Sequence, residues 1–260
     1  MSFSFDLNQN YHFFKDNKTI PLVFIHGVGL NHQMWEPQVK SLDESSILTY
    51  DILGHGKTPF KNEKITLEDF SDQINSILNY YKFTKINLIG FSLGSLIALN
   101  FASSFQEKLN KLILIGTTYQ RSEKERSLVL DRFNQAKLNR PISKQALKRW
   151  FSDDYLQKNP DTYDFFMKVL NKNPKDHQNF LKAYELFANH DDNKQSIQKI
   201  KTDTLIMTGS NDSGSTPNMS KELAKDITNA NYIEIKNGKH LCSIECADDV
   251  NMNIRNFIKK

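Results

Sequence analysis

The chain has 260 residues, of which 38% are apolar and 25% are charged, proportions that are ordinary for a folded globular protein. No stretch approaches the ~18 apolar residues of a membrane span, and the formal net charge of +4 is too small to suggest a nucleic-acid partner. The N-terminus lacks the basic and apolar regions of a signal peptide and the two cysteines fit a reducing compartment, so we expect a cytoplasmic protein whose mature chain begins at Met1.

Six short apolar runs bounded by turn residues indicate the strands. Their apolarity is continuous rather than alternating, which is typical of strands covered on both faces in a parallel sheet. The runs lie at residues 22–25, 47–50, 86–89, 112–115, 205–208 and 232–235. Helical patterns lie between them, including one from Leu67 to Tyr81 with Thr66 as its N-cap. This alternation predicts a doubly wound, mostly parallel α/β sheet, with residues 2–15 adding an antiparallel hairpin at one edge.

The interval between residues 115 and 205 breaks this alternation. It contains helical stripes of apolar residues and no convincing strand. We therefore predict that residues 118–200, the lid segment, form a helical lid inserted into a core domain made of residues 1–117 and 201–260. Most aromatic side chains of the lid segment should pack within it, and some should face a cleft.

Positive charge is concentrated within the lid segment. Residues 121–150 contain nine Arg or Lys and three Asp or Glu, a local net charge of +6. A solvated helix face is the simplest interpretation. The alternative is attraction of an acidic substrate or of an acidic partner protein.

Ser92 lies in a Gly-x-Ser-x-Gly pattern over residues 90–94, directly after the apolar run at 86–89. Between a strand and a helix, this pattern is typical of a nucleophile elbow, a sharp turn that presents a serine hydroxyl to a histidine base. Glycine is needed two positions before and after the serine, because the turn brings backbone segments too close for a Cβ. Ser92 is therefore the predicted nucleophile.

Two further strand ends carry the groups that a serine nucleophile requires. Asp212 follows the run at 205–208, and His240 follows the run at 232–235. Because catalytic groups gather at the carboxyl ends of parallel strands, we expect His240 to act as the base and Asp212 to orient it.

Backbone N–H groups should stabilise the oxyanion that forms during attack by the serine. One candidate is Leu93, the residue after the nucleophile, at the start of a helix where free N–H groups favour negative charge. The other is Val28, in the loop His26-Gly27-Val28-Gly29 after the first apolar run.

Five motifs in this order resemble the α/β-hydrolases. They are HGVG at 26–29 followed by Trp35, YDILGHG at 50–56, the elbow at 90–94, Asp212, and GKH at 238–240. Within that superfamily the chain is similar to the 3-oxoadipate enol-lactonase and carbon–carbon hydrolase group, through Thr216-Pro217 and Glu245. Residues 26–35 also resemble the pimeloyl-carrier-protein methyl-ester esterase. Ser95 departs from the pattern, because glycine is common at its position.

The resemblance implies hydrolysis of an ester, lactone or thioester through an acyl-serine, with no metal and no organic cofactor. Gly27, Trp150 and Leu241 are the candidate substrate contacts. Other readings stay open: a carbon–carbon bond hydrolase, an acyltransferase, or a lidded binding protein without useful activity. The substrate is expected to be a small molecule, either a carboxylated one such as a dicarboxylate lactone or an acyl chain on an acidic carrier protein that docks on the lid segment. Neither a nucleic acid nor a membrane is an expected partner.

Several other polar residues have structural interpretations. The resemblance makes His26 a support for the oxyanion loop. Asp51, in one turn with His55, should cap backbone N–H groups. Cys242 and Cys246 are expected to be buried thiols rather than zinc ligands with His240. His190-Asp191-Asp192 is expected to lie in a loop at the end of a lid helix.

Overall fold

In the computed structural model, which describes residues 12–138 and 143–259, seven strands form one sheet. The strands are β1 (His12–Lys15), β2 (Leu22–Ile25), β3 (Ile47–Tyr50), β4 (Ile86–Phe91), β5 (Leu109–Ile115), β6 (Thr204–Gly209) and β7 (Ala230–Ile235). Their order across the sheet is β1-β3-β2-β4-β5-β6-β7. β1 pairs antiparallel with β3, and the other neighbours pair in parallel.

The continuous apolar runs arise because both faces of the sheet are covered. In β2, Val23 and Ile25 belong to the apolar core on one face, whereas Leu22 and Phe24 belong to the core on the other. All six predicted runs fall within observed strands, which confirms the mostly parallel, doubly wound sheet. Of the predicted hairpin over 2–15, residues 2–11 lie outside the described residues.

Helices connect successive parallel strands and cover the sheet. They are α1 (Glu36–Ser41), α2 (Leu67–Tyr81), α3 (Leu93–Phe105), α4 (Glu123–Lys137), α5 (Ser143–Trp150), α6 (Asp153–Lys158), α7 (Pro160–Leu170), α8 (Pro174–Asn189), α9 (Lys194–Ile197), α10 (Pro217–Asp226), α11 (Cys242–Glu245) and α12 (Ala247–Ile258). Within residues 12–138 and 143–259, no helix has both the length and the apolarity required to cross a bilayer.

The start of α2 shows how local sequence sets a helix boundary. The Thr66 hydroxyl accepts a hydrogen bond from the Asp69 N–H, and the Asp69 carboxylate accepts one from the Thr66 N–H. This capping box satisfies two N–H groups that the helix leaves free and contributes about 1 kcal/mol. The predicted N-cap is therefore confirmed.

The lid segment contributes α4 to α9 between β5 and β6. α4 packs against α8, with the rings of Phe133 and Tyr184 5.7 Å apart. α5 packs against α7, with Trp150 and Phe166 at 6.2 Å. The first pair joins the apolar core on one face of the sheet and the second pair joins the core on the other. That this segment is a unit inserted into a separate core domain stays a prediction.

Candidate active site

Ser92 forms the sharp turn between β4 and α3. Its backbone has φ 54° and ψ −114°, a conformation that side-chain-bearing residues adopt rarely and at a cost. The turn is held by the Ser92 N–H, which donates to the Ile115 carbonyl at 2.9 Å. The side chain of Ser92 lines a cavity at the carboxyl ends of the strands.

The residues around Ser92 show why the elbow needs small side chains. A Cβ on Gly90 would overlap with the backbone of Gly94, and a Cβ on Gly94 would overlap with the Ile25 carbonyl. Ser95 fits at the position where glycine is common because its hydroxyl donates to the Gly90 carbonyl at 2.8 Å. Here the departure from the motif adds a hydrogen bond beneath the turn.

The three predicted triad residues lie together. His240 Nε2 is 3.2 Å from Ser92 Oγ, and His240 Nδ1 is 2.6 Å from Asp212 Oδ2. The Asp212 side chain is almost fully buried and the His240 side chain is 14% exposed. With the Nδ1 proton donated to Asp212, Nε2 is free to accept a proton from the serine.

The loops that carry Asp212 and His240 are joined through their backbones. The Asn211 N–H donates to the Gly238 carbonyl at 2.9 Å, and a Cβ on Gly209 would overlap with that same carbonyl. The second oxygen of Asp212 accepts hydrogen bonds from the N–H groups of Gly214 and Ser215, both at 2.9 Å. The carboxylate is thereby oriented by its own loop before it meets the histidine.

Of the predicted oxyanion donors, Leu93 directly follows Ser92 at the start of α3, and Val28 lies in the loop after β2. Val28 lines the cavity, while the Leu93 side chain is fully buried in the core. The Leu93 N–H is the first of α3, so it has no partner within the helix. Neither N–H donates to another group among residues 12–138 and 143–259.

Two side chains fix the loop that carries Val28. His26 donates from Nδ1 to the Gly27 carbonyl at 2.8 Å and accepts from the Ile52 N–H at 3.1 Å, so its neutral form fits this place. Burial lowers the pKa of His26 to about 4. From the lid segment, Lys172 Nζ donates to the Gly29 carbonyl at 2.9 Å, and burial lowers the pKa of Lys172 to about 8.

The cavity above Ser92 has a volume of about 80 Å³ and two different walls. The sheet wall consists of the residues at the ends of β2, β4, β6 and β7, and it contains Ser92, Asp212 and His240. The helical wall comes from α4, α5, α7 and α8. Its lining side chains are Val129, Arg132, Ala146, Arg149, Trp150, Leu170, Phe180, Tyr184 and Phe187.

The three candidate substrate contacts have different surroundings. Trp150 lines the cavity. Gly27 is not among the residues that line the cavity, and a Cβ at this position would lie 2.9 Å from the Phe91 ring. Leu241 is fully buried, and its N–H donates to the Trp150 carbonyl at 3.1 Å, a contact between the helical wall and the loop of His240.

The arginines of the basic stretch have separate environments. Arg121 is buried and donates to the Phe187 carbonyl and to the Thr118 hydroxyl. Arg126 forms an ion pair with Asp191. Arg132 lines the cavity, together with Arg149.

The other polar residues have mainly structural surroundings. The Asp51 carboxylate accepts hydrogen bonds from the His32 and Lys57 N–H groups, both at 2.8 Å, which confirms the predicted cap. Although burial raises it, the hydrogen bonds from His32 bring the pKa of Asp51 below its ordinary value. His55 is also buried and donates from Nδ1 to the Leu53 carbonyl.

Cys242 is buried and Cys246 is partly buried, and burial raises the pKa of both thiols. Residues 190–192 follow the end of α8, as predicted. Across residues 12–138 and 143–259, no group of three or more His, Cys, Asp or Glu side chains is arranged to bind a metal ion.

Arg149 and Lys172 are site residues that no sequence motif reveals. Arg149 is one of nine cations in residues 121–150. Its only distinguishing signal is that it lies three residues after Ala146, close to one helical turn, on the same face of the helix. Lys172 lies in a turn after α7, where a solvated lysine is the ordinary expectation.

Comparison with known proteins places this geometry in context. A family model described as "alpha/beta hydrolase fold" matches residues 20–246. The chain is 24% identical to (E)-2-((N-methylformamido)methylene)succinate hydrolase of Acinetobacter baylyi over 255 residues, covering 97% of this chain and 95% of that protein. It is 26% identical to 3-oxoadipate enol-lactonase 1 of the same organism over 245 residues, covering 92% and 88%. The crystal structure of the enol-lactonase from Burkholderia xenovorans LB400 has a TM-score of 0.88 to this chain, with 23% identity and 96% of each chain covered.

Proposed function

Because the chain belongs to the α/β-hydrolase family, we propose that it is a serine hydrolase that cleaves a carboxylic ester, lactone or thioester through an acyl-serine intermediate. One observation carries the proposal: a continuous hydrogen-bonded series runs from Asp212 through His240 to Ser92 at the ends of three parallel strands. The names of the two relatives, a hydrolase and an enol-lactonase, agree with this chemistry.

In the first half of the reaction, His240 Nε2 takes the proton of Ser92 as Oγ attacks the substrate carbonyl carbon. The resulting imidazolium is stabilised by Asp212, which accepts the Nδ1–H at 2.6 Å. The carbonyl oxygen becomes an oxyanion, and the N–H groups of Val28 and Leu93 donate to it. His240 then gives its proton to the leaving alcohol, enol or thiol as the acyl–heteroatom bond breaks, which leaves the acyl group on Ser92.

In the second half, His240 removes a proton from a water molecule that attacks the acyl carbon. The same donors stabilise the second oxyanion, and His240 returns the proton to Ser92 Oγ as the carboxylic acid leaves. Pre-oriented donors of this kind are each worth about 10²–10³ in turnover. The fixed loop of Val28 and the first turn of α3 are therefore expected to contribute to the rate in addition to the triad.

The test is covalent labelling by a fluorophosphonate, combined with turnover of short-chain 4-nitrophenyl esters. Wild type should be labelled and active. Ser92→Ala should lose the label and several orders of magnitude of turnover while keeping its melting temperature. Ser104→Ala, an exposed serine on the same helix α3, is the matched control and should resemble wild type.

Other results would contradict the proposal. Labelling of the Ser92→Ala variant at the wild-type rate would place the nucleophile elsewhere. A folded wild type that is neither labelled nor active would favour a lidded binding protein. New ester formed from an added alcohol, in place of the acid, would indicate an acyltransferase.

A further inference from the structure

Two guanidinium groups line the reaction cavity on its helical wall. We propose that Arg132 and Arg149 together bind a carboxylate of the substrate, so that the enzyme acts on small esters or lactones that carry a free acid group. This inference rests on the proposed serine hydrolase function for its reaction, but the recognition of the anion is a separate property of the cavity.

The first observation is the position of the two side chains. Arg132 projects from α4 and Arg149 from α5, and both line the cavity that Ser92 and His240 line from the opposite wall. Both are partly buried. Desolvation and the neighbouring charge of Arg132 lower the pKa of Arg149, so both raise the cost of keeping Arg149 charged.

The second observation is that, in the part of the chain that the structure describes, neither cation is paired with an anion at contact distance. Among the described residues, neither Arg132 nor Arg149 has an ion-pair partner or a side-chain hydrogen bond, whereas Arg121 and Arg126 use theirs within the lid segment. Of the described residues that line the cavity, only Asp212 has an acidic side chain. Its charge favours the cationic form of Arg149, but its oxygens already accept hydrogen bonds from His240, Gly214 and Ser215.

Two half-buried, unpaired cations raise the free energy of the folded protein, because they lose part of their hydration. An anion that enters the cavity offsets this desolvation penalty. The guanidinium group is a planar fork whose N–H donors match the two oxygens of a carboxylate. Most of the remaining lining is apolar, including Val129, Trp150 and Phe180. A short carbon chain between a reacting ester and a terminal carboxylate would therefore meet an apolar wall in its middle and cations at one end.

The size of the cavity limits the substrate. Its volume of about 80 Å³ corresponds to roughly half a dozen water molecules, at about 10–15 Å³ for each water centre. That space fits an acyl group of a few carbons with its carboxylate. The cavity is therefore better matched to a small acidic substrate than to a long acyl chain carried by another protein.

The test compares two esters that differ at the far end, which is a carboxylate in monomethyl glutarate and a neutral methyl ester in dimethyl glutarate. Wild type should have the higher kcat/KM for the monoester. Arg132→Gln and Arg149→Gln should each lower kcat/KM for the monoester by about 10- to 100-fold, the usual range for a charge-assisted hydrogen bond. The diester has two equivalent ester groups, which alone double its kcat/KM. The change that either variant causes in kcat/KM for this neutral diester should be smaller than that factor of two.

A matched control removes the same charge from the same helices outside the cavity. Lys124 and Lys144 are exposed on α4 and α5, so the Lys124→Gln/Lys144→Gln variant should keep the wild-type preference. The Arg132→Gln/Arg149→Gln variant should melt no lower than wild type, because it removes two unpaired charges. Arg149→Lys keeps a charge but loses the fork, and it should recover part of the monoester activity.

Binding of glutarate, measured by calorimetry, separates this inference from the proposed reaction. If neither ester is cleaved and Ser92 is not labelled, the hydrolase proposal fails, while glutarate that binds wild type and not the double arginine variant still supports the carboxylate site. Three results would overturn the carboxylate site. They are equal kcat/KM for the two esters in wild type, equal losses on both esters in the variants, and unchanged glutarate binding by the double variant.

Discussion

The sheet wall and the helical wall of the cavity are built in different ways. On the sheet wall, backbone groups position the reacting side chains: Ser92 N–H donates to Ile115, and Asn211 N–H donates to Gly238. On the helical wall, position follows from side-chain packing, as between Phe133 and Tyr184. From this difference we expect the sheet wall to position the reacting groups of the proposed hydrolase and the helical wall to select the substrate.

The largest effect should come from removing the charge of Asp212, the acid of the proposed triad. In Asp212→Asn, the amide oxygen would keep the hydrogen bonds from Gly214 and Ser215, so the NH2 group would face His240 Nδ1. The imidazole would then carry its proton on Nε2 and could not accept one from Ser92. We expect kcat to fall by about 10⁴ with little change in folding stability.

Steady-state kinetics and thermal melting measure these two quantities. Asp203→Asn, which changes an exposed acid next to the start of β6, is the matched control and should keep wild-type kcat. A kcat of Asp212→Asn within tenfold of wild type would remove Asp212 from the proposed triad.

A methyl group at Gly209 should damage the sheet wall without touching the reacting atoms. The added Cβ would overlap with the carbonyls of Gly238 and Lys239, which would push the loops of Asp212 and His240 apart. Gly209→Ala should lower the free energy of unfolding by about 3 kcal/mol and should also lower kcat. Urea denaturation and kinetics measure both.

The loop of Asp212 supplies its own control. A Cβ at Gly214 would meet nothing nearer than Asp212 Oδ1 at 3.6 Å, an ordinary contact. Gly214→Ala should therefore be close to wild type in stability. Similar losses in the two variants would mean that the close approach of Gly209 and Gly238 is not what joins the loops.

His26, which supports the loop that carries Val28, should make the folded state less stable in acid. Burial lowers the pKa of His26 to about 4, whereas an unfolded histidine has a pKa near 6.5. Between these values the unfolded chain binds more protons, so stability falls as the pH falls. From pH 7 to pH 5 the contribution of His26 should decrease by about 2 kcal/mol, and urea denaturation at both pH values measures it.

Ser92→Ala, which leaves His26 in place, should lose stability in parallel with wild type. His26→Gln should lose less between pH 7 and pH 5. NMR titration of the His26 ring gives an answer even if that variant folds poorly, because a ring that gains its proton near pH 6.5 in the native protein would contradict the prediction.

The smallest effect should come from trimming the helical wall. Val129 is buried on α4 and lines the cavity, so Val129→Ala would enlarge the space for the acyl group. We expect kcat/KM for an acyl chain one or two carbons longer to improve by about tenfold relative to the short chain. Leu128→Ala removes an exposed neighbour on the same helix and should leave this ratio unchanged.

The sequence carries strong signals for the sheet wall. Strands covered on both faces appear as continuous apolar runs, and the position of Ser92, Asp212 and His240 after three such runs brings them to one edge of a parallel sheet. Each of these signals lies within a short stretch of sequence, an apolar run and the few residues after it, so a single sequence is enough to show it. The close approach of Gly209 to Gly238, by contrast, appears only in the folded chain.

The helical wall is less predictable for a physical reason. An amphipathic pattern identifies the buried face of a helix, but that face can contact either a neighbouring helix or a cavity. Arg121, Arg126 and Arg132 therefore look equivalent in sequence, although only Arg132 among them lines the cavity. Arg149 and Lys172 depend on how α5 and the end of α7 pack over the sheet, which is a long-range property.

Two of the polar contacts that join the walls set a condition for exchanging one lid segment for another. Trp150 accepts the Leu241 N–H through its main-chain carbonyl, and Lys172 reaches the Gly29 carbonyl from the end of α7. A grafted segment of unrelated sequence could bring a new specificity, provided that it offers a carbonyl at the first point and a long cationic side chain at the second. Designed or evolved chimeras can therefore be judged at two positions before any substrate is tried.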